Sequence, residues 1–199
     1  MNMQNGLAAW AIGVLVITGA GACSSGGGSG SSGGSATSPL TGSSLPSWAK
    51  SLGPGVQVIP PGSASPGNGT PADVVAGVIA AIGAKNYKNF CSYVEPSQQS
   101  TCTSEIAQIP AGTLDNMFKG FGSLKPTYTV IDGDQALVGL TGTVCSNGTC
   151  NTNSDPTAVL DSGKPFSQLW STVVNSTSGA YEPEPIVKVN GKWYGQGSF

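Results

Sequence analysis

Five cysteines set the terms on which this chain can fold. Cys23 stands alone behind an apolar stretch, while Cys91, Cys102, Cys145 and Cys150 form an even set farther along the chain. Four cysteines allow three connectivities. Cys145 and Cys150 flank Ser146-Asn147-Gly148-Thr149, and Asn-Gly suits a two-residue type I′ turn, so their Cβ atoms are expected to face each other across a hairpin. Cys91 and Cys102 lie on either side of Pro96, which breaks two expected helices. The local pairs 91–102 and 145–150 are therefore the expected bridges, and they imply an oxidising compartment. A redox pair would want C-x-x-C spacing and a basic neighbour, and zinc would need all four thiolates at metal-like spacing; the sequence offers neither.

The N-terminus reads as an address. Leu7 to Ile17 is an unbroken apolar run, followed by Thr-Gly-Ala-Gly-Ala and then Cys23. A short apolar run ending in small residues is expected to be a secretory signal peptide over residues 1–22. A spanning helix needs about 20 apolar residues, which leaves an uncleaved anchor as the second reading. The usual basic charge is missing, since Met1 to Gly6 contains no Lys or Arg. Ala20-Gly21-Ala22-Cys23 resembles the bacterial lipobox, which implies acylation of Cys23, although Ala20 stands where Leu is usual. The same Ala-x-Ala suits an ordinary signal peptidase, which would leave Cys23 as a free thiol. The Ser/Gly tract after Cys23 and the even count of the remaining cysteines favour the lipid.

Residues 24–35 are entirely Ser and Gly, and Lys50 is the sole charge between Ser24 and Gly69. Such a chain cannot offset its backbone entropy by burying apolar surface, and residues 23–69 are expected to be a lipidated cysteine and its tether. Trp48, Leu52, Val56, Val58 and Ile59 are too apolar for a pure linker and are expected to dock as an extended arm.

The domain proper is expected over residues 70–199. Thr70-Pro71-Ala72-Asp73 is a helix start, with a capping Thr, Pro at the first helical position and an acid at the third. Val75, Val78, Ile79 and Ile82 follow at helical spacing, then Tyr87, Phe90, Cys91 and Val94, closed by Pro96. Short helices are expected over 97–109 and 113–121. Beyond Lys125 the period becomes two. Hairpins are expected about Asp132-Gly133, Asn147-Gly148 and Asn190-Gly191, with a long strand from Phe166 to Val174. Helices followed by an antiparallel meander define an α+β domain with its helices on one sheet face.

The order of these pieces carries a resemblance. A capped helix, AKNYKNFC, a second cysteine eleven positions on, VIDGDQALVGLTGTVC and finally VKVNGKWY together resemble the NTF2-like (cystatin-like) superfamily, in particular small secreted or lipid-anchored bacterial members, many of them actinobacterial. The resemblance covers Thr70 to Gly195. It implies a cone in which a curved sheet wraps a long helix around a cavity. Asn151 to Pro165 and NSTSGAYEPEP depart from it, being longer than that fold needs. Fold does not fix function.

Composition narrows the chemistry. With no His there is no histidine relay or imidazole acid–base catalyst, and with no Arg and a net charge of −2 there is no footprint for nucleic acid. Some NTF2-like members are ketosteroid isomerases or polyketide cyclases with an Asp base and Tyr or Asp donors inside the cone. The matching polar groups here are Asp115, Tyr87, Tyr128 and Asp134, and each has a plain structural role available: a helix start for Asp115, a turn for Asp132 and Asp134, core packing for the tyrosines. Asn151-x-Asn153-x-Asp155 fails as a calcium loop, with Pro156 at the glycine position and Ser162 at the final acid. No metal or cofactor is implied. The expected function is that of an exported, lipid-anchored, non-enzymatic envelope protein. It would face the periplasm or the exterior and bind a small apolar ligand or a protein partner. The alternatives are an isomerase- or cyclase-type enzyme and a structural or adhesive surface protein.

Overall fold

The computed structural model describes residues 38–146, 149–176 and 182–196. The expected signal peptide, Cys23, the Ser/Gly tract and the expected turn at Asn147-Gly148 lie outside the described residues.

Two short strands, β1 (Leu40–Thr41) and β2 (Gln57–Ile59), bracket a 3-10 segment at Ser47–Leu52. Helices α1 (Pro71–Gly83), α2 (Tyr87–Phe90), α3 (Gln99–Gln108) and α4 (Ala111–Met117) follow, then β3 (Lys125–Asp132), β4 (Gln135–Ser146), β5 (Thr149–Asn153), α5 (Phe166–Val174), β6 (Glu184–Val189) and β7 (Lys192–Gly195). The named strands pair antiparallel in the order β1-β2-β3-β4-β6-β7, and β5 pairs with the far half of β4. The class is α+β, with helices packed on an antiparallel sheet.

The start of α1 follows the sequence reading. The Thr70 hydroxyl accepts from the Asp73 N–H at 3.2 Å, and the Asp73 carboxylate accepts from the Thr70 N–H at 3.1 Å. Two of the helix's orphan donors are thus satisfied reciprocally. Val74, Val75, Val78, Ile79 and Ile82 then form the buried stripe. Gly77 lies where α1 meets Tyr93, and a Cβ there would overlap the tyrosine ring. The helix ends in a Schellman arrangement, with the Asn86 N–H donating to Ala81 O at 2.8 Å and the Lys85 N–H to Ile82 O at 2.9 Å. Lys85 occupies the left-handed position, φ +56, usually taken by glycine.

The two-residue turns set the strand register. Asn190 and Gly191, φ +51 and +79, form the type I′ turn expected between β6 and β7. Between β3 and β4 the pairing of Asp132 with Gln135 leaves Gly133 and Asp134 as the turn, one residue later than the Asp-Gly reading. The outer edge of β7 is closed by Asn68, whose carbonyl accepts from the Trp193 N–H at 3.0 Å and whose amide donates to Trp193 O at 2.7 Å. Closing an edge in this way denies it to another chain.

Alternation along β4 builds two cores. Ala136, Val138 and Leu140 face α1, while Leu137 faces the opposite side. That opposite side is also covered, which corrects the expectation that helices lie on one face. Phe166 to Val174 is a helix where a strand was expected, and it buries Phe166, Leu169, Trp170 and Val173. The spacing i, i+3, i+4, i+7 is helical, and it outweighs the β-branched composition that suggested a strand. The packed body also begins well before Thr70. Val58 pairs with Val130 of β3, and Leu45, Ala49, Leu52 and Val56 join the second core. The apolar arm docks as a 3-10 segment and an added strand. The long segment after β5 serves the same face, placing Leu160 at 0% exposure while the Thr127 hydroxyl donates to Pro156 O at 2.9 Å.

Both expected disulfides are present. Cys91–Cys102 joins the end of α2 to α3 with Cα atoms 5.7 Å apart, and both residues are buried in the first core. Cys145–Cys150 ties directly opposed positions of β4 and β5 at 4.0 Å, as at a non-hydrogen-bonded pair. The Cys145 N–H donates instead to Lys119 O.

Candidate functional site

The sequence candidates separate into different places. Tyr87 and Asp115 come together, with the phenol donating to Asp115 Oδ1 at 2.5 Å. The Lys85 ammonium donates to Asp115 Oδ2 at 2.6 Å. The strained end of α1, the start of α2 and the middle of α4 are thereby clamped together. Tyr87 is buried and stacks on Phe118, ring centroids 5.7 Å apart. The Lys85 and Tyr87 hydrogen bonds hold the Asp115 carboxyl below its ordinary range, which makes it a weak base. Burial, then the hydrogen bond to Asp115 and its charge, push the Tyr87 phenol up to about 12. In an ultraviolet titration of the five tyrosines, one is expected to ionise near 12. In Asp115→Asn its midpoint should fall yet stay above 10, because burial is the larger cause. Five midpoints clustered near 10 would contradict the clamp.

Asp134 is exposed in its turn. Tyr128 of β3 meets Trp48 edge-on at 5.3 Å on the second face, so it is part of the seat on which the arm docks. Asn153 donates to Leu140 O at 2.7 Å, and Asp155 accepts from the N–H and hydroxyl of Thr157 at 2.8 and 2.9 Å. That segment is a set of side-chain turns. Among the described residues no group of three or more His, Cys, Asp or Glu is placed to hold a metal ion, and no helix is long and apolar enough to cross a membrane.

A different place has the character of a binding site. Between α1 and the sheet lies a narrow apolar cleft whose enclosed volume is about 10 Å³, room for about one water molecule. Val74, Val75, Val78 and Ile79 form one wall, and Leu140, Ile186 and Gly195 the other; Phe121 and Leu124 stand at one end. The remaining lining residue is Glu184, at the first position of β6. Part of its surface is exposed, but Oε2 is fully buried and has no hydrogen-bond partner. Burial, with the charge of Glu182 adding to it, pushes its carboxyl up to about 8.

Sequence reasoning missed Glu184. The available signal was parity: it stands two residues before Ile186, and in a strand those positions share a face. With Ile186 in the core, Glu184 had to point the same way.

No family model matches the chain, and neither a curated protein nor a solved structure matches it.

Proposed function

We propose that this chain is an exported, lipid-anchored, non-enzymatic envelope protein whose NTF2-like domain binds a small apolar ligand in the cleft between α1 and the sheet. The cleft carries this reading. Its walls are aliphatic and aromatic, as in sites for apolar small molecules, and the Glu184 side chain lies buried behind them. Its enclosed volume of about 10 Å³ is far below the roughly 300–1,000 Å³ of ligand sites, so a guest would have to part α1 from the sheet. The Ala-Gly-Ala-Cys sequence and the Ser/Gly tract support the anchor, and two disulfides suit an oxidising compartment.

The test of the anchor is phase partitioning in detergent. The wild type expressed in a bacterium that processes lipoproteins should enter the detergent phase, and Cys23→Ala should stay in water. Equal partitioning would remove the anchor.

An enzymatic reading has one observation in its favour, since a carboxyl group with a raised pKa beside a cleft is what an isomerase or cyclase would employ. The described lining offers no second polar side chain to polarise a substrate or stabilise a developing oxyanion. Binding without turnover is the reading that uses what the cleft contains.

A further inference from the structure

The lysines are unevenly placed. Residues 83–90 and 111–125 hold four of the eight lysines and one of the ten acids, a net charge of +3 on a chain whose total is −2. The fold brings these two stretches to one end of the sheet. The end of α1 abuts the 3-10 turn at Phe121–Ser123, so close that a Cβ on Gly122 would lie 2.8 Å from the Gly83 Cα. Asp115 of α4 bonds Lys85 and Tyr87, and Lys125 opens β3 just after that turn. Lys88, Lys119 and Lys125 are exposed and have no ion-pair partner among the described residues. Beside them Met117, Phe118 and Phe121 are half-buried and leave part of their apolar surface in water. The chain also enters the fold from this side. β1 runs in the same direction as β3, because each is antiparallel to β2. Read backwards from Leu40, the chain therefore leaves the sheet toward the end where Lys125 lies.

We propose that this basic, aromatic end of the domain is a docking surface for an anionic lipid bilayer. Lysines close to such a bilayer gain from its negative surface potential, and aromatic and thioether side chains beside them enter the boundary between headgroups and acyl chains. The lysine stems lie along apolar surface while their ammonium groups stay in water. A soluble acidic polymer would engage the lysines alone and leave Phe118 and Phe121 as they are. Residues 24–37 separate Cys23 from Ser38, a stretch that reaches at most about 50 Å. An acyl group on Cys23 would thus hold the body near a bilayer, and the direction in which the chain leaves β1 turns this end toward it. The surface itself depends neither on that anchor nor on the cleft.

The test uses the full chain carrying Cys23→Ala, so that no acyl group contributes. It is mixed with vesicles of phosphatidylcholine, alone or with about one third phosphatidylglycerol, at about 0.1 M salt. Leu7 to Ile17 is uncharged, so any affinity it adds is common to every variant compared. Co-sedimentation should show tighter binding to the anionic vesicles. Lys119→Gln/Lys125→Gln should weaken that binding roughly tenfold to thirtyfold. Lys188→Gln/Lys192→Gln removes the same charge at the opposite end of the sheet, where the Lys188 N–H donates to Asp134 O, and should change binding by less than about twofold. Equal binding to the two vesicle types, or equal losses from the two double variants, would overturn the docking surface. So would displacement of the protein from anionic vesicles by polyglutamate at equal concentration of negative charge, which would assign the lysines to an acidic polymer instead.

Discussion

Between pH 5 and pH 8 the wild-type protein should lose stability, and Glu184→Gln should remove most of that slope. The sign follows from linkage. The folded carboxyl group titrates at about 8 against an ordinary value of 4.5. The folded state therefore keeps a proton that the unfolded chain releases across this interval, and each step up in pH favours unfolding. The stabilisation is fully present below about 4.5, is lost progressively, and is gone above about 8. The whole difference would amount to about 5 kcal/mol. Glu184 retains some exposed surface, and hydration there reduces the effect to the order of 2–4 kcal/mol. Urea denaturation at several pH values measures it directly. Parallel pH profiles for wild type and Glu184→Gln would show that the carboxyl group is hydrated in the folded state.

The second large effect concerns the disulfides, which should not be equivalent. Cys91 and Cys102 enclose a loop with a sequence separation of 11, and Cys145 and Cys150 one of 5. Loop-closure entropy alone assigns about 3 kcal/mol to the first and about 2 kcal/mol to the second. Packing widens the gap. Cys91 and Cys102 are 2% and 0% exposed in the core, so replacing both with Ala also loses buried contacts where α2 meets α3. Cys150 is exposed, and the β4–β5 ladder already pairs its two strands. Cys91→Ala/Cys102→Ala should lower unfolding free energy by roughly 3–5 kcal/mol, and Cys145→Ser/Cys150→Ser by about 2 kcal/mol or less. A larger loss from the hairpin pair would contradict this account of which bridge supports the core.

What could be read from residues alone follows a physical pattern. Local signals were legible because their physics is local. The Thr70 capping box, the Asn190-Gly191 turn and the two short-range disulfides each depend on residues within about a dozen positions of one another. Phe166 to Val174 was misread because Val173, Val174 and Trp170 favour strand, while the decisive fact is the spacing of Phe166, Leu169, Trp170 and Val173. The docked arm was suspected from its apolar residues, but its role as the strand beside β3 depends on a pairing across some seventy residues of chain. That covered second face also explains the long polar segment after β5, which exists to deliver Leu160. At the candidate sites, Tyr87 and Asp115 were singled out, yet Lys85 was not, and their meeting rests on contacts 28 and 30 positions apart. Glu184 sits between two prolines, a context that reads as a loop until the pairing of β6 with β4 fixes which way it points.

The proposed biology stands on the state of five sulfur atoms, and intact mass spectrometry of protein taken from its own cells reads all of them together. Without reduction, alkylating reagent should add nothing. The mass should equal that of a chain starting at Cys23, carrying acyl groups and lacking the four hydrogens of two disulfides. A mature chain that begins at another residue, or any cysteine tagged before reduction, would contradict the account.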